Sequence, residues 1–219
     1  MPLEVISFCS YLKTDDYSVW RPQDHNATKF VKALKGEQLN GYAYVPVLGV
    51  QCHLSNANLD DSIEWFGHMA AHYMQQNGLE PPFVLVPIPN SSAVSKSPKP
   101  RTLKLAKAIA ARLGNETKVA DCLRWKKAIG SARKGGGTRN ARILHENLVL
   151  IEELDEELPH IMIDDALSSG GHLQACAAKL QSEGATVTKA FCGGDTVHEP
   201  PQDAFAIFRR ELDDYEPDE

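Results

Sequence analysis

Two adjacent aspartates, Asp164 and Asp165, stand between an apolar run and a run of small residues in the stretch HIMIDDALSSGGH, residues 160–172. Neighbouring carboxylates repel each other, so such a pair suits a task that needs two acceptors, such as gripping vicinal hydroxyls or a metal ion. The run Ser168–Gly171 offers two hydroxyls and two glycines just ahead of a helical pattern. Backbone N–H groups at a helix start attract phosphate, and glycine lets the anion come close. The aspartates cannot ligate phosphate themselves. A sugar phosphate satisfies both halves, with its diol on the carboxylates and its phosphate on the loop.

These residues need a strand to deliver the acids and a helix to receive the anion. Ile161–Ile163 reads as a buried strand, Gly171–Glu183 as the helix, with Gly184 past its end, and Thr186–Cys192 as the next strand. Upstream, Leu3–Phe8 and Phe83–Val86 read as strands, and Tyr42–Val50 is β-leaning around Pro46. Asn26–Leu34, Asp60–Gln76 and Thr102–Leu113 carry helical periodicity, the last closed by Gly114. Lys118–Leu123, Leu148–Ile151 and a segment near Phe205–Phe208 are further strand candidates. Helices alternating with short unbroken apolar strands predict an α/β fold, a mainly parallel sheet with helices on both faces. In such a sheet, ligands bind off the C-terminal strand ends, where Asp164 and Asp165 fall.

With 219 residues and 42% hydrophobic content, the chain has ample material for one large domain. Residues 1–80 are expected to form an N-terminal extension packed on a core of residues 81–209, with residues 210–219 as an acidic, disordered tail. The net charge of −6 does not advertise a nucleic-acid or anionic-membrane partner. The cations are nonetheless gathered: Arg124–Arg142, RWKKAIGSARKGGGTRNAR, holds seven Lys or Arg and no acid. It reads as a long mobile loop. Five scattered cysteines without a CxxC pair argue against a zinc ribbon or a disulfide framework. Without a basic-then-apolar leader or a membrane-length apolar run, the chain reads as soluble and cytoplasmic.

IMIDDALSSGG resembles the 5-phosphoribosyl 1-pyrophosphate (PRPP) motif of type I phosphoribosyltransferases. The resemblance covers roughly residues 84–193 and is closest in layout to ComF-like members, without their zinc-ribbon cysteines. It implies the phosphoribosyltransferase fold with a flexible hood loop. It also implies an enzyme that binds PRPP with Mg²⁺ and transfers the phosphoribosyl group to a nitrogenous base or related acceptor, releasing pyrophosphate. Asp164 and Asp165 would face the ribose hydroxyls, directly or through Mg²⁺. Ser168, Ser169, Gly170 and Gly171 would hold the 5′-phosphate, with His172 where the family usually has Thr or Ser. VLVPIPN, Val84–Asn90, is similar to the strand and loop before the family's pyrophosphate site, making Asn90, Ser91 and Ser92 candidate contacts. The basic segment takes the place of the hood, with Arg133, Lys134 and Arg139 as its candidate catalytic cations and Arg142 behind them. RILHENL, Arg142–Leu148, is similar to the pattern that closes the hood in ComF-like proteins.

Developing negative charge on departing pyrophosphate would be met by the hood's cations, and closure would exclude water from the sugar donor. The expected partners are therefore small molecules, PRPP and an unspecified base. No membrane is involved, and a homodimer is compatible with the sequence. A rival reading is a non-catalytic PRPP- or nucleotide-sensing protein, or a ComF-like factor whose basic loop 124–142 engages nucleic acid. Nucleotide hydrolysis or phosphorolysis would use the same site in another direction. A P-loop is excluded because Lys134 precedes the glycines, and no GxGxxG exists for a dinucleotide fingerprint. Trp125 and Cys192 read as packing residues. His145 and Glu146 are candidates for proton transfer, and Phe191–Asp195 (FCGGD) for a turn or a close ligand approach.

Overall fold

Apolar alternation along the strands divides the interior into two layers on opposite sides of one sheet. The computed structural model describes residues 2–14, 16–90, 93–94, 100–129 and 140–213. The elements run β1 (Leu3–Ser7), β2 (Ser10–Leu12), a 3-10 turn (Tyr17–Val19), α1 (Pro22–Leu34), β3 (Ala43–Val47), β4 (Val50–Leu54), α2 (Asp61–Gln76) and β5 (Phe83–Pro87). There follow α3 (Thr102–Leu113), β6 (Thr117–Val119), β7 (Leu123–Trp125), α4 (Ala141–Glu146), β8 (Leu148–Leu150), β9 (Pro159–Leu167), α5 (Gly171–Ser182), β10 (Thr186–Val197) and β11 (Phe208–Leu212).

The main sheet has the order β11-β1-β10-β9-β5-β6, with β2 pairing beside the end of β10. All of its pairings are parallel except β1 with β11. On one face Ile6, Leu85, Ile161, Ile163 and Phe191 meet Phe30 and Leu34 of α1, Phe66 of α2 and Ile109 of α3. On the other, Val5, Val86, Met162 and Cys192 meet Leu173, Cys176 and Leu180 of α5 together with Leu144 of α4. The expected α/β architecture, mainly parallel with helices on both faces, is the one observed. No described helix is long and apolar enough to cross a membrane.

Several boundaries differ from expectation, each for a local reason. Helix α1 begins at Pro22, ahead of Asn26, because proline suits the first helical turn and the Asp24 carboxylate reaches back to accept from the Arg21 backbone N. Lys118–Leu123 is not one strand. β6 pairs with β5, whereas β7 turns away to pair with β8. β9 runs on through both aspartates beside β10, which itself continues to Val197 against β2. Residues 1–80, expected as an extension, supply β1, an interior strand of the main sheet, and two helices of its covering layer. The expected tail from residue 210 starts instead inside β11, since Arg210 and Leu212 pair with Val5 and Leu3.

Candidate functional site

β9 is flanked on both sides only as far as Ile163. Its pairing with β5 covers His160–Ile163, after which, among the described residues, β10 alone accompanies Asp164–Leu167. The acids therefore emerge where one neighbour has ended, a notch at the C-terminal edge of a parallel sheet. Ile88 N donates to Ile163 O at 2.9 Å and seals the last shared position.

The two carboxylates are half-buried. Asp165 N donates to Asp164 Oδ1 at 2.8 Å, and Lys35 Nζ lies 3.6 Å from Asp165 Oδ1. Lys35 follows the last residue of α1 and also sits 4.8 Å from the centre of the Tyr11 ring. Burial first, and then repulsion from Asp165, pushes the Asp164 carboxyl well above its ordinary range. Burial raises Asp165 as well, opposed by Lys35.

The loop after β9 enters α5 through Gly170, whose φ of +88° lies in the left-handed region where a side chain is disfavoured. Gly170 is the N-cap of α5, and among the described residues no side chain caps that helix start. First-turn amides of a helix have no acceptor within the helix, so they face the loop's mouth as donors. Ser168 and Ser169 are exposed; Gly170 and Gly171 are buried. His172 is half-buried, with its ring 5.6 Å from that of Trp125.

Trp125 is fully buried and joins two of the expected site segments. Its indole Nε1 donates to Asn90 O at 2.7 Å, and its backbone N donates to Ala93 O at 2.9 Å. It is a packing residue, and its position ties the Asn90 loop to the start of α5. Ser91 and Ser92 lie outside the described residues.

Arg133, Lys134 and Arg139 also lie outside them, but both ends of the basic segment are defined. Asn147 Oδ1 accepts from Lys127 N at 3.2 Å while its Nδ2 donates to Lys127 O at 2.8 Å. Asn140 Oδ1 accepts from Arg142 N and Ile143 N and starts α4. The basic loop does not begin at Arg124. That residue belongs to β7 and is buried, donating to both carboxylate oxygens of Asp121 at 2.6 and 2.7 Å. Arg142 is exposed on α4, 3.4 Å from Glu146 Oε1. Burial and Lys179 hold the His145 imidazole below its usual range, so it is neutral at physiological pH.

Gly193 and Gly194 neither turn the chain nor open a gap. They are interior positions of β10, and a Cβ on Gly193 would overlap Leu34 and lie 2.7 Å from Asp165 O. These glycines let α1 press against the sheet, which brings Lys35 onto Asp165. Cys192 is buried in the core, and burial raises its thiol far above the usual range.

Sequence reasoning missed Lys35 and Arg210. Arg210 Nη1 donates to Ser168 O at 2.9 Å and Nη2 to Asp195 Oδ1 at 2.6 Å. Neither shows a motif, since each reaches the site through the fold rather than through neighbours in sequence. A separate cleft of about 730 Å³, lined by Gln23, Asn26, Tyr44 and Gln51 among others, contains neither the acids nor the loop. Among the described residues no group of three or more His, Cys, Asp or Glu could hold a metal ion unaided.

No family model matches the chain. No curated protein sequence matches it either. Among solved structures, the chain is similar to a hypoxanthine phosphoribosyltransferase from Staphylococcus aureus, at 14% identity and a TM-score of 0.37, over 66% of this chain and 76% of that one.

Proposed function

We propose that the protein is a phosphoribosyltransferase that binds PRPP with Mg²⁺ and passes the phosphoribosyl group to a nitrogenous base or related acceptor. One observation carries the reading. Two carboxylates leave the sheet at a notch, and the next residues form an uncapped helix entrance at a left-handed glycine. That juxtaposition offers acceptors for a diol and donors for a phosphate within one short stretch of chain.

In this mechanism Asp164 and Asp165 accept hydrogen bonds from the ribose 2′- and 3′-hydroxyls and so hold C1 in place. Ser168, Ser169, Gly170 and Gly171 donate to the 5′-phosphate, and His172 adds a donor. The pyrophosphate contacts are assigned to Asn90, Ser91 and Ser92. The bond from C1 to the pyrophosphate oxygen breaks, the oxygen keeps the electron pair, and the acceptor nitrogen supplies the pair for the new bond. Arg133, Lys134 and Arg139 meet the charge that grows on the departing oxygens, where a preorganised cation is most effective.

Two carboxylates are a fitting share for Mg²⁺, which commonly takes one or two from the protein and the rest from phosphates and water. Asp164 and Asp165 would hold it; when bound it neutralises pyrophosphate charge and fixes the donor's shape. Metal contacts require ionised acids, so binding with Mg²⁺ must expel any proton held by the raised Asp164. Affinity for PRPP is therefore expected to strengthen with rising pH.

Thermal unfolding with PRPP, with and without Mg²⁺, tests the reading. Ligand at a hundred times its dissociation constant adds about 2.7 kcal/mol, or roughly 5–10 °C for a chain of this size. The rise should need Mg²⁺ and vanish in the Asp164→Ala/Asp165→Ala variant. If wild type shows no rise but binds nucleic acid in a steeply salt-dependent manner, the basic loop is the functional surface instead.

A further inference from the structure

The loop 168–171 rests on the last strand of the chain. Arg210 spans from the Ser168 carbonyl, 2.9 Å away, to the buried Asp195 carboxylate on β10, 2.6 Å away. Two positions further on the same face of β11, Leu212 fills the space under Gly170, where an added Cβ would lie 2.8 Å from its methyls. Gln174, in the first turn of α5, donates Nε2 to Asp213 O at 3.0 Å. β11 is itself fixed by five antiparallel register positions against β1.

The bond to Ser168 O sets more than a distance. A peptide unit is planar and trans, so its C=O and N–H point in opposite directions. With the Ser168 carbonyl drawn towards β11, the Ser169 N–H is turned away from β11 to the other side of the loop. The Asp195 carboxylate holds the guanidinium at its other end, so that peptide cannot flip without breaking a charged contact. A planar guanidinium can span the two acceptors at once, whereas an ammonium is a single point.

We infer that β11 braces the loop and that Arg210 is a positioning residue that sets its affinity for phosphate by aiming the Ser169 amide. This rests on the phosphate-binding reading of the loop given above. The test measures ribose 5-phosphate binding by calorimetry, with melting temperature and the Ser169 amide ¹⁵N resonance followed in parallel. It compares wild type, Arg210→Lys and Arg210→Gln.

Both variants should bind about tenfold more weakly, the scale of one lost charge-assisted hydrogen bond. Arg210→Lys keeps the ion pair with Asp195, so its melting temperature should stay near wild type while its affinity falls. The Ser169 resonance should move on ligand addition in wild type and stay still in both variants. Arg210→Lys binding within twofold of wild type overturns the inference. So does a loss of affinity that only tracks a loss of melting temperature across the variants. If wild type itself fails to bind ribose 5-phosphate, the sugar-phosphate reading of the site falls, and the brace with it.

Discussion

Two acidic sites in this molecule, one fully buried and one half-buried, use the same side chain to opposite ends. At the start of α1, Asp24 has no exposed surface and is saturated by Arg21, whose backbone N and Nε donate to one oxygen and whose Nη2 donates to the other at 2.8 Å. Burial alone would raise its carboxyl, but the Arg21 hydrogen bonds outweigh burial and hold it below the usual range. At the end of β9 the order of forces is reversed. Asp164 takes one backbone N–H and faces Asp165, and the Lys35 ammonium stands 3.6 Å from the second acid. Its carboxyl is raised. The saturated acid holds a helix start together; the half-buried pair, ionised, opposes folding and retains oxygens able to accept further hydrogen bonds.

The comparison can be broken most sharply by removing both half-buried acids. Asp164→Asn with Asp165→Asn should lower phosphoribosyl transfer about 10³-fold, as loss of preorganised polar groups does elsewhere, while the protein stays folded. Pyrophosphate release with a panel of bases is the readout. Asp24→Ala should do the reverse. It leaves the ligand site intact but costs about 2–3 kcal/mol of stability by removing charged hydrogen bonds, seen as a lower urea midpoint. Asp164→Asn alone should stabilise the unliganded protein by about 1 kcal/mol, within the usual gain when a functional strain is relieved.

Acidity sharpens the contrast with the smallest effect. The raised Asp164 favours the protonated fold, so its contribution is present below the unfolded value near pH 4 and is lost as pH rises. The melting-temperature gain of Asp164→Asn over wild type should therefore grow between about pH 4 and 7. The lowered Asp24 contributes above the unfolded value and is lost as pH falls. The deficit of Asp24→Asn should accordingly shrink on acidification. As pH rises the melting temperature relative to wild type should go up for Asp164→Asn and down for Asp24→Asn; both going up or both going down would contradict the assigned causes.

Much of this arrangement could be read from sequence where cause and effect are close along the chain. Helix α3 spans the expected Thr102–Leu113, and Gly114 closes it at a φ of +97°. The acid pair and the glycine entrance to α5 stand where the apolar run and the small residues put them. Pairing partners were not readable. The apolar stretch at Leu123–Trp125 looks like a continuation of β6 until β8 is known to lie beside it. Arg210 meets Ser168 across 42 positions of chain, and Lys35 arrives on Asp165 only because Gly193 and Gly194 admit α1. A glycine pair in a strand announces close approach, but not what approaches.

The burial of Trp125 gives the molecule an optical use. Its indole is bonded to the Asn90 loop and lies against His172 at the mouth of α5. Anything that shifts either loop alters the surroundings of a single chromophore whose emission depends on them. Of the three tryptophans in the chain, this one lies between the loops expected to hold the two ends of the donor. With Trp20 and Trp65 replaced by phenylalanine, its fluorescence would be a label-free signal of loop closure, readable on the timescale of mixing.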